Sequence, residues 1–299
     1  MGFSYLPPYR PPAGGPAPAL PTLGFGVLPL LGAVPESVAA EVFPAVAEGA
    51  VLTAAISEPG APLTTEPTTK AEISGDTVRI TGYKVAVPCA DQARWLLVTT
   101  ESGVAVVDAK AAGLSFAPSS VSGGLPEFSV KLDGVQIPAD RLLADAGPRL
   151  HRFVLATIGA VADGLLSGAV KLTAAHVGTR QQFNRPLAEF QAVAQQIADL
   201  YVVSRTLHVA AVSANWALGQ NDPSPEQQQR IDDDLNVLAY TVAAELPRAM
   251  QKCHHLHGGI GVDVTHSMHR YYSQSKDLAR WLGGAALRLE RLGAGCSSI

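Results

Sequence analysis

The spacing of apolar positions divides this chain near residue 150. Before that point lie short β-branched runs, Val78–Thr81, Trp95–Thr100, Val104–Asp108 and Phe128–Leu132, separated by Gly, Asp and Pro. Such runs predict strands, because branched side chains pack well on a pleated surface and the intervening residues supply the reversals. Thr22–Leu31 and Glu36–Ala47 are exceptions. Their apolar steps of three and four residues predict two short helices, with Pro35 opening the second. Beyond residue 150 the pattern is helical. Val154, Ile158, Val161, Leu165 and Leu172 predict one long helix from about Leu150 to about Thr179. Phe190, Val193, Ile197 and Leu200 predict a second, and Pro186 breaks the chain between them. Asn221–Pro225 reads as a turn, with Ser224 and Pro225 suited to open a third helix. That helix carries Ile231, Leu235, Leu238, Val242 and Leu246 and ends at His257-Gly258-Gly259. A fourth runs from about Met268 to Leu292, broken near Gly283-Gly284.

An α+β chain follows from this pattern. Residues 1–49 form a Pro/Gly-rich start and a small helical part, 50–147 a β domain, and 148–299 a four-helix bundle. Composition changes this picture little. The 299 residues are 47% hydrophobic, enough for a sizeable core, and the formal charge is −4. No basic stripe suggests nucleic acid and no basic amphipathic segment suggests a membrane surface. No uninterrupted apolar run has the length of a membrane span. The first residues lack the basic-then-apolar order of a signal peptide and read as a poorly ordered Pro/Gly segment. Cys89, Cys253 and Cys296 are too few and too scattered for a disulfide framework or a zinc site. A reducing, cytoplasmic setting is expected.

Two stretches carry candidate chemistry. Arg180-Gln-Gln-Phe183-Asn-Arg-Pro-Leu187 joins the first two bundle helices. A cation and an aromatic there could hold a phosphate and a ring, or simply cap a helix and pack the core. In His254-His255-Leu256-His257-Gly258-Gly259-Ile260-Gly261 the glycines let a backbone approach a ligand closely. His254 and His257 could share a helical face, with Asp263 and His266 nearby, but no complete ligand set is evident and no metal is expected. Ser57-Glu-Pro-Gly60 reads as a turn, and Thr81-Gly-Tyr-Lys84 as the start of a hairpin strand.

In order, these motifs resemble the acyl-CoA dehydrogenase family. Ser57-Glu58-Pro59 matches its Thr-Glu-Pro loop, Thr81-Gly82-Tyr83-Lys84 its Asn-Gly-x-Lys hairpin, and Val135-Gln-Ile-Pro138, followed by Leu142-Leu143, the end of its β domain. Arg180 to Gln191 matches Arg-x-x-Phe-Gly-x-Pro-Leu-x-x-Phe-Gln, with Asn184 in place of glycine, and His255 to Gly261 matches Gln-x-His-Gly-Gly-x-Gly. The stretch 254–272 is particularly similar to the smaller subunits of actinobacterial steroid-CoA dehydrogenases, which form heterotetramers (α2β2). The resemblance implies FAD, α,β-desaturation of an acyl-CoA, a second dehydrogenase subunit and an electron-transfer flavoprotein. It places Arg180, Phe183, Leu187, His255, Gly258 and Gly259 at the cofactor. The Arg180 guanidinium would meet the pyrophosphate, and Phe183 and Leu187 would wall the adenine side. In this family FAD lies across a subunit interface, so one chain need not supply a whole site.

The departures from the family pattern bear on mechanism. Desaturation needs a base within reach of the α-proton. In most members it is the glutamate of Tyr-Glu-Gly-Thr on the last helix; here the stretch is Trp281-Leu282-Gly283-Gly284, and Leu282 cannot take a proton. Other members place a glutamate at the start of the first bundle helix, where His151 is the match, either a base or an exposed first-turn residue. Val85-Ala86-Val87 replaces the family's Trp-Ile-Thr stretch, and Ala61-Pro62-Leu63 replaces Gly-Ser-Asp. Only the last two helices of the family's N-terminal helical domain have counterparts, so that part is truncated. The reading favoured is a subunit lacking the catalytic glutamate within a heteromeric steroid-CoA dehydrogenase. The alternatives are an autonomous dehydrogenase using His151 and a flavin-free binding or scaffold protein on the same fold.

Overall fold

The computed structural model describes residues 19–220 and 223–296. The Pro/Gly-rich start lies outside the described residues, as do Asn221 and Asp222 of the expected turn. The chain divides into two compact units, one ending at Thr157 and one beginning at Ile158.

The first unit opens with helix α1, Pro21–Leu30, whose first turns are π-wound. Helix α2, Glu36–Ala47, follows, with Pro35 at its N-cap position. Two four-stranded sheets come next. One has the order β1-β4-β5-β8, built from Val51–Ala55, Ala93–Thr100, Gly103–Asp108 and Leu142–Leu143; β1 runs parallel to β4 and the other pairs are antiparallel. The other has the order β2-β3-β7-β6, from Lys70–Ser74, Thr77–Pro88, Glu127–Pro138 and Leu114–Ser119, and is antiparallel throughout. Their facing side chains, among them Leu96, Val98, Ala105 and Val107 against Ile80, Val87, Val130 and Leu132, form one core. Leu96 and Val98, Ala105 and Val107, and Val130 and Leu132 lie two residues apart, so the pleat sends each pair into that core, while irregularities in β3 separate Ile80 from Val87.

Thr81-Gly-Tyr-Lys84 does not start a hairpin strand; it lies in the middle of β3. The β2–β3 reversal falls at Gly75-Asp76, where Gly75 has φ 56. Gly82 stands in the strand because Thr69 packs onto it: a Cβ there would lie 2.5 Å from the Thr69 hydroxyl.

Helix α3, Ala146–Thr179, crosses the division between the units. It starts four residues earlier than its apolar spacing suggests, which moves His151 out of the first turn to a half-buried position. By length and composition α3 could cross a membrane, with mean hydropathy 1.8, but 56% of that window is buried within the protein. Interrupting Gly, Asp and Lys residues hide this in a search for unbroken apolar runs.

The second unit adds α4 (Gln191–Leu218), α5 (Pro225–His257), α6 (Met268–Trp281) and α7 (Gly284–Cys296). Ser224 caps α5 in a reciprocal box with Gln227, satisfying two otherwise unpaired donors. Helix α5 packs against α4, α6 and α7. It meets α3 closely at Gly159, where a Cβ would lie 2.4 Å from Leu238. The α6–α7 break falls at Gly283 and Gly284, with φ 80 and 82, a conformation that excludes most side chains.

Candidate functional site

Arg180 follows the last residue of α3, and its N–H donates to the His176 carbonyl at 2.9 Å. A small hairpin comes next, β9 (Gln181–Gln182) against β10 (Arg185–Pro186). Phe183 and Asn184 form its turn with φ of 52 and 61. Two consecutive left-handed residues give the turn whose twist suits a tight hairpin. Asn tolerates that conformation; holding Phe there costs about 1–2 kcal/mol. The Phe183 ring does not offset this by burial, being 87% exposed, and meets only the edge of Phe190, centroid to centroid 6.2 Å. The Leu187 N–H closes the loop onto the Arg180 carbonyl at 2.8 Å. Leu187 is half-buried and Arg180 exposed. Among the described residues no carboxylate pairs with the Arg180 guanidinium.

Helix α5 ends at His257, and Gly258, with φ 59, turns the chain into a short 3-10 segment, Gly258–Val262. A Cβ on Gly258 or Gly259 would meet nothing within 4 Å, so this backbone lies open to a ligand. His255 is exposed, whereas His257 is only 4% exposed. The Nδ1 of His257 lies 2.9 Å from the Cys253 carbonyl, which assigns the proton of the neutral ring to Nδ1. Its Nε2 is then an acceptor, buried and without a hydrogen-bond partner among the described residues. The ring stacks on His176, with centroids 4.5 Å apart and planes 18° apart, and tilts against His266 at 5.1 Å. Burial holds His257 below the ordinary histidine range; the Cys253 carbonyl opposes this, and His176, His266 and His254 add to it. Burial also lowers His176, assisted by His266 and Arg180. His254 stacks on Tyr272 at 5.0 Å. Among the described residues no group of three His, Cys, Asp or Glu side chains is arranged to hold a metal ion. His176 was missed from sequence because its partner lies on another helix.

Leu282 is fully buried at the end of α6, with no proton-accepting side-chain atom. Its carbonyl accepts from the Nε of Arg288 at 2.7 Å. Arg288 is 1% exposed, and its Nη1 and Nη2 have no hydrogen-bond partner among the described residues. The local pattern, Ala-Ala-Leu-Arg-Leu, does not distinguish this arginine from a surface one.

In the first unit the Ser57-Glu-Pro turn and Lys84 join in one buried network. Lys84 Nζ donates to Glu58 Oε1 at 2.8 Å and to the Thr99 hydroxyl at 2.9 Å. The Val85 N–H donates to the Ser57 carbonyl at 2.9 Å, which docks the turn onto β3. Ala86, with φ 54, forms a bulge in that strand. Glu58 and Lys84 of these two motifs therefore shape the β unit, each bound to groups of the fold itself.

The profile of the acyl-CoA dehydrogenase C-terminal domain matches residues 155–295. The chain is 46% identical to the acyl-CoA dehydrogenase FadE28 of Mycobacterium tuberculosis over 285 residues, 95% of this chain and 81% of that protein. The chain belongs to the acyl-CoA dehydrogenase family. Another member, FadE27 of the same organism, is 31% identical over 74% of this chain; the chain spans only 61% of its length. Among solved structures, one subunit of the ChsE4–ChsE5 complex of Mycobacterium tuberculosis superposes with a TM-score of 0.84 at 27% identity, over 94% of this chain and 76% of that one. A Tcur3481–Tcur3483 steroid acyl-CoA dehydrogenase gives 0.84 at 30% identity, over 93% and 76%. Membership makes this chain part of an oxidoreductase family acting on acyl-CoA. The Arg180 hairpin, the Gly258-Gly259 turn and Leu282 all lie within the matched C-terminal domain.

Proposed function

We propose that this chain is the subunit lacking the catalytic glutamate in a heteromeric, FAD-dependent dehydrogenase that desaturates a steroid-derived CoA thioester. The observation that carries the reading is Leu282: the position matching the family's glutamate holds a buried aliphatic side chain. The residues present fit one end of the cofactor. Arg180 offers a solvent-facing guanidinium, and Gly258 and Gly259 offer backbone with open space before it. They suit a pyrophosphate and a close ribose or adenine edge, as a planar cation and bare amides would. The family's Trp-Ile-Thr wall for the reactive ring is absent, and Val85-Ala86-Val87 stands there instead.

When bound, FAD supplies the acceptor for the hydride leaving Cβ. This chain's part is to bind and orient: Arg180 neutralises phosphate charge, Phe183 and Leu187 bound the adenine side, and His255 stands beside the glycine turn. Removal of the α-proton falls to a base on the partner subunit. An exposed stripe on α4, comprising Val202, Val209, Val212 and Trp216, supports an oligomeric chain, because such patches mark association surfaces. Similarity to the steroid acyl-CoA dehydrogenase Tcur3481–Tcur3483 supports the steroid substrate, and similarity to that protein and to the ChsE4–ChsE5 complex supports a second subunit. A cytoplasmic location and an electron-transfer flavoprotein as reoxidant complete the proposal.

Co-expression with a second dehydrogenase subunit tests it. The expected product is a stable complex whose flavin is bleached by a steroid-CoA thioester, with fewer flavins than chains. If the isolated chain binds FAD and desaturates acyl-CoA, the reading fails. In that case His151→Ala decides whether His151 is the base. A complex devoid of flavin would favour the scaffold alternative.

A further inference from the structure

The two halves of the proposed grip come from different helices, and a pair of histidine rings joins them. Arg180 lies one helical turn beyond His176 and bonds to its carbonyl, while Gly258 directly follows His257. The His176–His257 stack therefore sits at the root of both segments. We propose that His176 and His257 are positioning residues whose neutral stack holds Arg180 and Gly258-Gly259 in one register, and that proton uptake by the cluster releases them. The proposal rests on the dinucleotide reading of those segments.

The chemistry follows from the tautomer. With Nδ1–H committed to the Cys253 carbonyl, a second proton on His257 must sit on Nε2. That atom is buried and has no acceptor among the described residues, so the new N–H would be a desolvated, unpaired donor on a charged ring. The ring must then leave the stack or remain neutral. The surroundings do not compensate. His176 faces the cluster from α3, Arg180 from just beyond its end, and His254 from α5. His266 faces it from the 263–267 segment, and His269 of α6 lies beyond. Asp263 is the carboxylate nearby, and it faces His266 and His269. Falling pH therefore gathers positive charge around the stack. Burial already holds both rings below the ordinary histidine range, as a joint that works in the neutral form requires. Gly261 keeps the packing tight: a Cβ there would lie 2.8 Å from His254 Cδ2 and 3.2 Å from His257 Cβ.

The test uses the complex with the partner subunit and follows FAD dissociation by fluorescence. Wild type is expected to release FAD about tenfold faster at about pH 5.5 than at about pH 7.5. His257→Phe keeps an aromatic ring in place without a titrating nitrogen and is expected to flatten that profile. If that variant fails to fold, His176→Phe keeps the stack with His257 as the one titrating ring of the pair and is expected to shrink the profile, and His176→Ala is expected to speed release at both pH values. Hydrogen exchange of the 181–187 and 258–262 amides in the same complexes, corrected for intrinsic rates, reads the joint without reference to flavin. Acid-enhanced exchange in wild type that is lost in the Phe variant supports the joint even in a flavin-free complex, which would instead overturn the dinucleotide reading. A pH-independent wild type, or a Phe variant that keeps the wild-type pH dependence, overturns the joint.

Discussion

Lys84 in the β unit and Arg288 in the helical unit are both buried cations, and their surroundings treat them oppositely. The Lys84 ammonium meets Glu58 and Thr99, and Glu58 in turn accepts from the N–H and hydroxyl of both Thr68 and Thr69 at 2.6 to 3.1 Å. Burial lowers Lys84 to about 8, with Glu58 opposing the shift. Burial works to raise Glu58, but the bonds from Lys84, Thr68 and Thr69 outweigh it and hold the carboxyl at about 2. Among the described residues Arg288 has one bond, to the Leu282 carbonyl, and burial lowers it to about 9 with Arg291 adding to the shift. A network of this kind is architecture, since both Glu58 oxygens and the Lys84 ammonium find partners within the fold. Among the described residues the helical unit leaves two Arg288 nitrogens and His257 Nε2 buried without partners and the Arg180 guanidinium facing solvent, while the β unit leaves the Trp95 Nε1, outside the Glu58–Lys84 network. Chemistry from outside the chain has somewhere to act in the second unit and nowhere evident in the Glu58–Lys84 network.

The sharpest way to break this comparison is to open the closed network. Lys84→Met leaves the Glu58 carboxylate buried without its cation and is expected to cost about 3–5 kcal/mol. Denaturant unfolding followed through the buried Trp95 measures it. A loss under about 1 kcal/mol would show that the pair adds nothing to the β unit. The same network sets an acid limit. Glu58 titrates at about 2 in the folded protein against an ordinary 4.5, so its contribution is complete above pH 4.5 and drains away as pH falls toward 2. Glu58→Gln should remove that part of the acid dependence.

Next in size is Gly261→Ala. The added methyl would press on the His254 ring and on its carbonyl at 2.9 Å, and the backbone cannot yield cheaply. Overpacking of this kind costs about 1–3 kcal/mol, and thermal unfolding should register it in the helical unit. If instead the variant is neutral, the histidine cluster is looser than its stacking geometry implies.

How much of this was legible in the sequence depends on how local the cause is. The central strands β3, β4, β5 and β7 announce themselves through Val, Ile and Leu runs because both ends of each side-chain pattern face one core. Strand β1, Val-Leu-Thr-Ala-Ala, lacks branched residues at its end, and β2 contributes little beyond Ala71 while Ile73 is 64% exposed. Edge strands held by partners rather than by their own side chains give a weak signal. The α6–α7 break was legible because Gly283 and Gly284 act through their own backbone. Arg180 and the Gly258-Gly259 turn stand out for the same reason. The His176–His257 stack, the Glu58–Lys84 pair and the depth of Arg288 were not, since each is created by packing between distant segments.

Arg288→Met tests the other side of the comparison. It removes an incompletely paired buried charge and one hydrogen bond, two effects of opposite sign, so the change is expected to stay within about 1 kcal/mol. A loss as large as that of Lys84→Met would mean that the guanidinium is better satisfied than its single bond shows. Measuring both variants by denaturant titration puts them on one scale.

The smallest effect is expected at the hairpin tip. Asn184 has φ 61, where the family pattern has glycine. Glycine enters the left-handed region without a Cβ penalty, and asparagine enters it at a modest one. Asn184→Gly is therefore expected to shift stability by less than about 0.5 kcal/mol, because relief of strain in the fold is offset by greater freedom in the unfolded chain. Asn184→Ala gains no such relief and is expected to cost about 1 kcal/mol. The order of the three melting temperatures, with Ala lowest and Asn and Gly nearly equal, would show that backbone conformation alone selects this residue. If Asn184→Gly instead falls as far as Ala, the amide side chain makes a bond of its own, and the hairpin beside Arg180 is held by more than its turn.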